Sequence, residues 1–383
     1  MISYRLLILT LFVLALTSKA ISQYKDSDFT KYTTTDGLTD GYVTSIVQDS
    51  LGYIWISTDD GLSRFDGNTF TNFHFDSPVG FLAASKVKML KMFDQNLGAL
   101  TARGFQILDP YKMEKRDFFI PDSTTFVATH NSAWDAVRMK NGKFAITTAA
   151  GFYVFNEDGS LHFTYDAYKS EDRANRRILY GRQIVQLAYP DLLVYVEGRD
   201  LMHYDARYNT FTRVDSTSKW GKIFSHPMTA TAEHWITKNQ TGTSEQMFLS
   251  ANDSVILYDW STDKKISTSL PFPWSQKFTW VSSFHKLDDS TYALTGAYNG
   301  FYLLHYNKAK GELLFDNQKI LSCCRINYVF KDRDARLWAG TSEGLYRQIK
   351  AKRLIEKFYW PSKFTSFGYT DALLHKGKLY LSR

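Results

Sequence analysis

The chain has 383 residues, a formal net charge of +7 and 16% aromatic residues, with Tyr and Phe far outnumbering Trp. The basic excess is mild, is interspersed with acids and includes Arg5 and Lys19 of a leader, so it gives no reason to invoke nucleic acid as a partner. The only cysteines are the adjacent Cys323 and Cys324, which excludes a disulfide framework.

The leader comes first. Arg5 supplies a positive charge, Leu6 to Leu16 is apolar apart from Thr10, and Thr17-Ser18-Lys19-Ala20 offers small residues around a cut after residue 20. This pattern predicts a secretory signal over 1–20 and a periplasmic protein. The apolar run is short for a membrane span, and an uncleaved anchor is the alternative. No cysteine lies near the cut to carry a lipid, and no other apolar run is long enough to span a membrane.

Phe29 to Tyr32 reads as a fourth strand without a blade of its own, of the kind that completes the last blade of a closed ring. Four strands then follow in close succession. They are Val43 to Gln48, Tyr53 to Ser57, Leu62 to Phe65 and Thr69 to Phe73, joined by turns at Asp49-Ser50-Leu51-Gly52, Asp59-Asp60-Gly61 and Asp66-Gly67-Asn68. That is one antiparallel meander, the shape of a propeller blade. A lone meander leaves faces unburied, so it predicts neighbours of the same kind.

The neighbours are found by following the position of Gly61, where the third strand begins. It recurs at Gly104, Gly151, Asp200, Asp253, Gly300 and Gly344, roughly 43–53 residues apart, a blade-length period. Polar clusters at Asp94 to Gly98, Lys140 to Lys143, Tyr189-Pro190-Asp191 and Leu287 to Ser290 predict the turn before the second strand. Outer strands are predicted at Met113 to Phe119, Leu161 to Tyr165, Thr210 to Val214, Ile266 to Leu270, Glu312 to Phe315 and Leu354 to Trp360. Ala83 to Phe93 could form a short basic helix, but its place in the repeat makes it a first strand. The expectation is an all-β protein, a seven-bladed β-propeller of four-stranded antiparallel blades over 21–362. Residues 363–383, with strands at Asp371 to Leu374 and Lys378 to Ser382 around His375-Lys376-Gly377, read as the start of a following, truncated blade.

The first blade, with Val43, Ile46, Asp49, Gly52, Ile54, Trp55, Ile56, Ser57, Thr58, Gly61, Leu62, Phe65 and Asp66, resembles the repeat of the two-component regulator propeller family. Only Ser57 departs, where that family prefers Gly. The last copy, with Ile326, Asp332, Trp338, Thr341, Gly344 and Leu345, matches except that Ala335 replaces the turn Gly. The copies between keep the period but lose the motif, with Gly98 and Ala145 where Trp would stand. The resemblance implies a periplasmic sensor region of a hybrid sensor kinase. It implies a small-molecule or oligosaccharide ligand, and downstream propeller, immunoglobulin-like and transmembrane signalling domains in a longer parent anchored in the inner membrane. A homodimer is a further partner to expect.

Asp49, Gly52, Trp55, Thr58, Gly61, Asp332, Trp338, Thr341 and Gly344 are expected to be structural. The Asp accepts backbone N–H bonds in its turn, Gly supplies positive φ and Trp fills space between blades. Ligand contacts are expected on the face formed by the turns between second and third strands and by the leads from blade to blade. These are Asp40, Tyr42, Asp59, Arg103, Tyr180, Arg182, Arg199, Trp280, Tyr298, Asn299 and Arg325. Rings there suit stacking on sugars, and Arg and Asp suit hydroxyl or acidic groups. No catalytic residue is assigned. A glycan-acting enzyme, the rival reading, needs two positioned carboxylates, and nothing selects a pair among Asp59, Asp60, Glu197, Glu233 and Asp253. The other rival is a passive interaction or adhesion propeller. The histidines are scattered, so no metal is expected, and no cofactor. His203 and His305 read as repeats of one third-strand position. Cys323 and Cys324 read as two small buried residues pointing to opposite faces of a strand, with a vicinal disulfide or redox role as the alternative.

Overall fold

A computed structural model describes residues 24–76, 80–120, 131–166, 181–187, 190–196, 201–215, 217–218, 246–251, 254–259, 264–269, 283–295, 299–349, 371–375 and 378–382. The leader, Leu354 to Trp360 and the hairpin turn at 376–377 lie outside them. Apart from two single 3-10 turns, every element among the described residues is a strand, and every pairing is antiparallel. No helix among the described residues is long and apolar enough to cross a membrane. The chain forms two compact units, Met1–Gln348 and Ile349–Arg383.

Within the first unit the strands form successive blades. Val43–Gln48, Ile54–Thr58, Gly61–Phe65 and Phe70–Phe73 make the first four-stranded sheet. The second starts at Val87–Phe93, the third at Ala133–Arg138 and the fourth at Gly181–Gln186. Val87–Phe93 is thus the strand that the repeat predicts. A sheet of three described strands follows, Gln246–Ala251, Ser254–Asp259 and Lys264–Ser269. The last sheet has seven strands because Glu312–Lys331 serves twice. Its first part pairs with Asn299–Asn307 as an outer strand, and its end pairs with Leu337–Thr341 as an inner one. With that strand divided, the sheets correspond in order to the anchors 61, 104, 151, 200, 253, 300 and 344. In the second unit, Asp371–His375 and Lys378–Ser382 pair as a hairpin.

Two local expectations are corrected. The second blade's turn is only Asp94-Gln95, because Asn96 to Gly98 already belong to Asn96–Thr101; Asp94 takes φ 55° and reverses the chain in two residues. His203 and His305 are not equivalent. His203 lies opposite Leu193, whereas His305 lies opposite Thr291, two positions away in the repeat.

The outer position of the closing blade falls to Phe29–Tyr32. It pairs with Leu345–Gln348 from Phe29↔Gln348 to Tyr32↔Leu345, joining the start of the fold to its end. Gly344 makes this approach feasible. Its φ is +138°, and a Cβ there would lie 2.5 Å from the Tyr32 carbonyl oxygen. Gly61 plays the same part against Phe73 of its own blade.

The core lies between blades. One cluster joins Val47, Trp55 and Leu62 of the first blade to Leu90, Leu97 and Ala99 of the second. Another joins Trp338 and Phe330 to Ile46, Ile56 and Phe65 across the closure. The second strands of the first three blades are buried on both faces, as stacked sheets require. Asp49 and Trp55, both fully buried, hold one such seam. Asp49 Oδ1 accepts the Leu51 and Tyr53 backbone N–H groups at 3.0 Å each, and Oδ2 accepts Trp55 Nε1–H at 2.7 Å and the Tyr111 hydroxyl of the next blade at 2.6 Å. Asp332 repeats this with Arg336 N at 2.8 Å and Trp338 Nε1 at 2.8 Å. In that turn Ala335 takes φ 57°, where the first blade has Gly52.

Candidate functional site

The turns between second and third strands share one design. Thr58 Oγ1 donates to the Gly61 carbonyl at 3.1 Å and accepts the Asp60 N–H at 3.1 Å. Thr101 with Gly104 and Thr341 with Gly344 do likewise, at 2.9 and 2.8 Å. These tight turns set the height of one face and place Asp59, Arg103 and Glu343 on it.

Just below them every fully described inner strand but one carries a β-bulge. Pairing skips one residue between Val43 and Ser45, Val87 and Met89, Ala133 and Asp135, Gly181 and Gln183, and Ile326 and Tyr328. The extra residues are Thr44, Lys88, Trp134, Arg182 and Asn327. A bulge frees one side chain from the alternation of the strand and re-aims it. Three of them bond to the main chain of the following blade at matching places. Asn327 Nδ2 donates to the Val43 carbonyl at 2.9 Å, Thr44 Oγ1 to the Val87 carbonyl at 2.6 Å, and Lys88 Nζ to the Ala133 carbonyl at 3.4 Å. The result is a belt of polar side chains at the inner edge of the face. Lys88 also donates to Ser132 and sits 4.0 Å from the Trp134 ring centroid. A layer beneath, Lys91 forms a buried ion pair with Asp135, whose Oδ2 accepts the Ile184 N–H of the fourth blade at 2.9 Å. The second and third blades thus concentrate two cations, a carboxylate and an indole where the first blade has Thr44, Ser45 and Val47.

The sequence-predicted ligand residues divide into groups. Tyr42 and Asp59 come together through Lys86, which lies 2.8 Å from Asp59 and 5.7 Å from the Tyr42 ring centroid. Asp40 Oδ1 is committed to the Tyr42 N–H at 2.7 Å, an Asx-type turn. Arg103 rests over the Phe75 ring, 5.3 Å from its centroid. Asn299 and Arg325 lie opposite each other where the sixth blade leads into the seventh, and the Arg325 carbonyl accepts Ser342 N–H at 3.3 Å. Arg182 occupies a belt position by its backbone register. Tyr180, Arg199, Trp280 and Tyr298 lie outside the described residues. So do Glu197, Glu233 and Asp253, while Asp59 and Asp60 share one turn. Among the described residues no group of three His, Cys, Asp or Glu could hold a metal ion.

Lys86, Lys88, Lys91, Trp134 and Asp135 were not singled out from the sequence. The available signal was a polar residue in the second position of four first strands, at Thr44, Lys88, Arg182 and Asn327.

Residues 37–60 match the family model described as Two component regulator propeller. Over 57 residues, 15% of this chain and 4% of the relative, the chain is 44% identical to Histidine kinase P4 of Formosa agariphila. Two similar solved structures are extracellular domains of B. thetaiotaomicron proteins described as hybrid two component systems. One is 17% identical with TM-score 0.58, covering 83% of this chain and 41% of that one; the other is 14% identical with TM-score 0.63, covering 88% and 44%. A streptogramin B lyase is 12% identical with TM-score 0.58 over 83% of this chain and 96% of its own. The fold is therefore a β-propeller of four-stranded blades, and it carries the two-component regulator propeller repeat. The chain spans less than half the length of those extracellular domains and a small fraction of the curated relative.

Proposed function

We propose that this chain, which carries the repeat of two-component regulator propellers, is an extracytoplasmic ligand-sensing module of a hybrid two-component system. The supporting observation is the family repeat at 37–60, in a chain that shares a 57-residue stretch with a histidine kinase and folds as a propeller like those of two extracellular domains. The leader pattern over 1–20 supports export to the periplasm. The signalling output resides in parts of a longer parent, reached through a membrane anchor, and a propeller passes a signal to them by changing its orientation toward a neighbouring domain or protomer. Such a change requires a ligand that binds two arrangements unequally.

The ligand is a saccharide held at the belt of the second and third blades. Trp134 supplies an aromatic surface for a sugar face, and Lys88 supplies charge beside it. The role is non-catalytic: Asp59 is tied to Lys86, and Asp135 is buried against Lys91 and two backbone N–H groups. The test is a calorimetric titration with neutral and acidic oligosaccharides, with Trp134→Ala alongside. The expected result is binding without turnover, weakened about tenfold or more in the variant with unchanged circular dichroism. Hydrolysis of a bound glycan would move the assignment to a glycan-acting enzyme. Failure of the whole panel to bind would remove the saccharide and favour an interaction propeller.

A further inference from the structure

The chain's two thiols meet where a regular strand would separate them. Neighbouring residues in a strand point to opposite faces. Here Phe301 pairs with Ile320 and the next pair is Asn299 with Arg325. One residue, Gly300, thus stands opposite the run Leu321 to Cys324. The longer side buckles, and Leu321 takes φ 51°. The buckle brings Cys323 Sγ within 3.0 Å of Cys324 Sγ. Cys323 is exposed and Cys324 buried, which corrects the expectation of two buried residues on opposite faces. The Cys323 thiol donates to the Tyr346 hydroxyl at 3.6 Å, and Asn299 Nδ2 donates to the Cys323 carbonyl at 3.3 Å. The pair therefore sits on the blade-to-blade lead, just before Arg325 and against Tyr346 of the closing blade.

We propose that Cys323 and Cys324 form a dithiol site that a small or protein disulfide oxidant converts to a vicinal disulfide. The exposed Cys323, as thiolate, attacks one sulfur of the oxidant's S–S bond. A mixed disulfide forms and one oxidant thiolate leaves. Cys324 then loses its proton and attacks Cys323 Sγ, and the second oxidant thiolate leaves. Two electrons pass from the pair to the oxidant, and the two protons end on the two thiols it becomes. Burial, then the neighbouring Cys323, pushes the Cys324 thiol up to about 12, which leaves the opening attack to Cys323. The new ring encloses no intervening residue, so loop-closure entropy gives it little global stabilisation. Its effect is local: it removes the thiol donor from Tyr346 and fixes the lead beside Arg325. This inference does not depend on the ligand reading.

The chain has no other cysteine, so intact mass reports on this pair alone. The whole chain is equilibrated in glutathione buffers from fully reduced to fully oxidised. The expected result is a monomer that loses two hydrogens and both titratable thiols, reversibly with dithiothreitol, with the bond inside the tryptic peptide from Ile320 to Arg325. Cys324→Ser should instead retain glutathione on Cys323. Wild-type chain that keeps both thiols in the most oxidised buffer would overturn the proposal. So would stable glutathione adducts on the wild type, or dimers linked between chains.

Discussion

The first and closing blades fill the space between sheets in one way, and the blades between them fill it in another. Three positions change together. In the first blade they are Asp49, Trp55 and Arg64, and in the closing blade Asp332, Trp338 and Arg347. The indole N–H meets the carboxylate, and the guanidinium lies over the ring, 5.8 Å from the Trp55 centroid and 5.1 Å from that of Trp338. By strand register the same positions are Phe93, Gly98 and Ile107 in the second blade, Met139, Ala145 and Val154 in the third, and Leu287, Ala293 and Leu303 in the sixth. The residue that ends or directly follows the first strand now supplies the bulk, and the second strand yields room for it. A Cβ on Gly98 would collide with the Phe93 ring. The fourth blade, with Leu187, Leu193 and His203, fits neither set cleanly. The volume between blades is constrained, and the residues that fill it are exchangeable as a set.

Three experiments would break or sharpen this comparison. Trp55→Ala and Phe93→Ala should each cost about 3–5 kcal/mol by urea denaturation, because each empties the equivalent place in its own seam, Trp55 between the first and second blades and Phe93 between the second and third. A cost under about 1 kcal/mol for Phe93→Ala would end the equivalence. Gly98→Trp alone should destabilise by about 1–3 kcal/mol through overpacking. Adding Phe93→Asp should recover part of that loss, with a favourable coupling of about 0.5–3 kcal/mol in a double-mutant cycle. Strictly additive losses would show that the positions do not exchange as a unit. The smallest effect concerns the first and closing blades themselves. Ala335→Gly relieves a left-handed alanine where the first blade has Gly52. Its gain of about 1–2 kcal/mol is largely offset by glycine's entropy cost, so the unfolding midpoint should rise by less than about 1 kcal/mol equivalent.

Much of the fold was legible because blade chemistry is local. Asp-x-x-Gly turns, Thr-x-x-Gly turns and alternating strands each declare themselves within a few residues, and the return of Gly61's position at Gly344 spans the repeat. The role of Phe29–Tyr32 could be anticipated because a fourth strand without a blade is visible as a leftover. The candidate site was legible only in part. Tyr42 and Asp59 do lie together, but Lys86 between them is not legible in the sequence, since an isolated lysine before a strand carries no pattern. The bulges were hidden for a different reason. Val43–Gln48 is buried on both faces, with only Thr44 and Gln48 partly exposed, so no alternation exists for an extra residue to interrupt.

The sequence by itself determined the leader pattern, the meander, its period and the two blades built on Asp and Trp, because these rest on spacing and turn chemistry within one segment. Only the tertiary structure decided which strand occupies the outer place of the closing blade, how Phe93 stands in for a tryptophan, that Lys88 lies on Trp134, and that Cys323 and Cys324 touch. Each of these depends on strand register or on the meeting of separate blades, and a one-residue slip in pairing changes the side chain's direction without leaving a mark in composition or period.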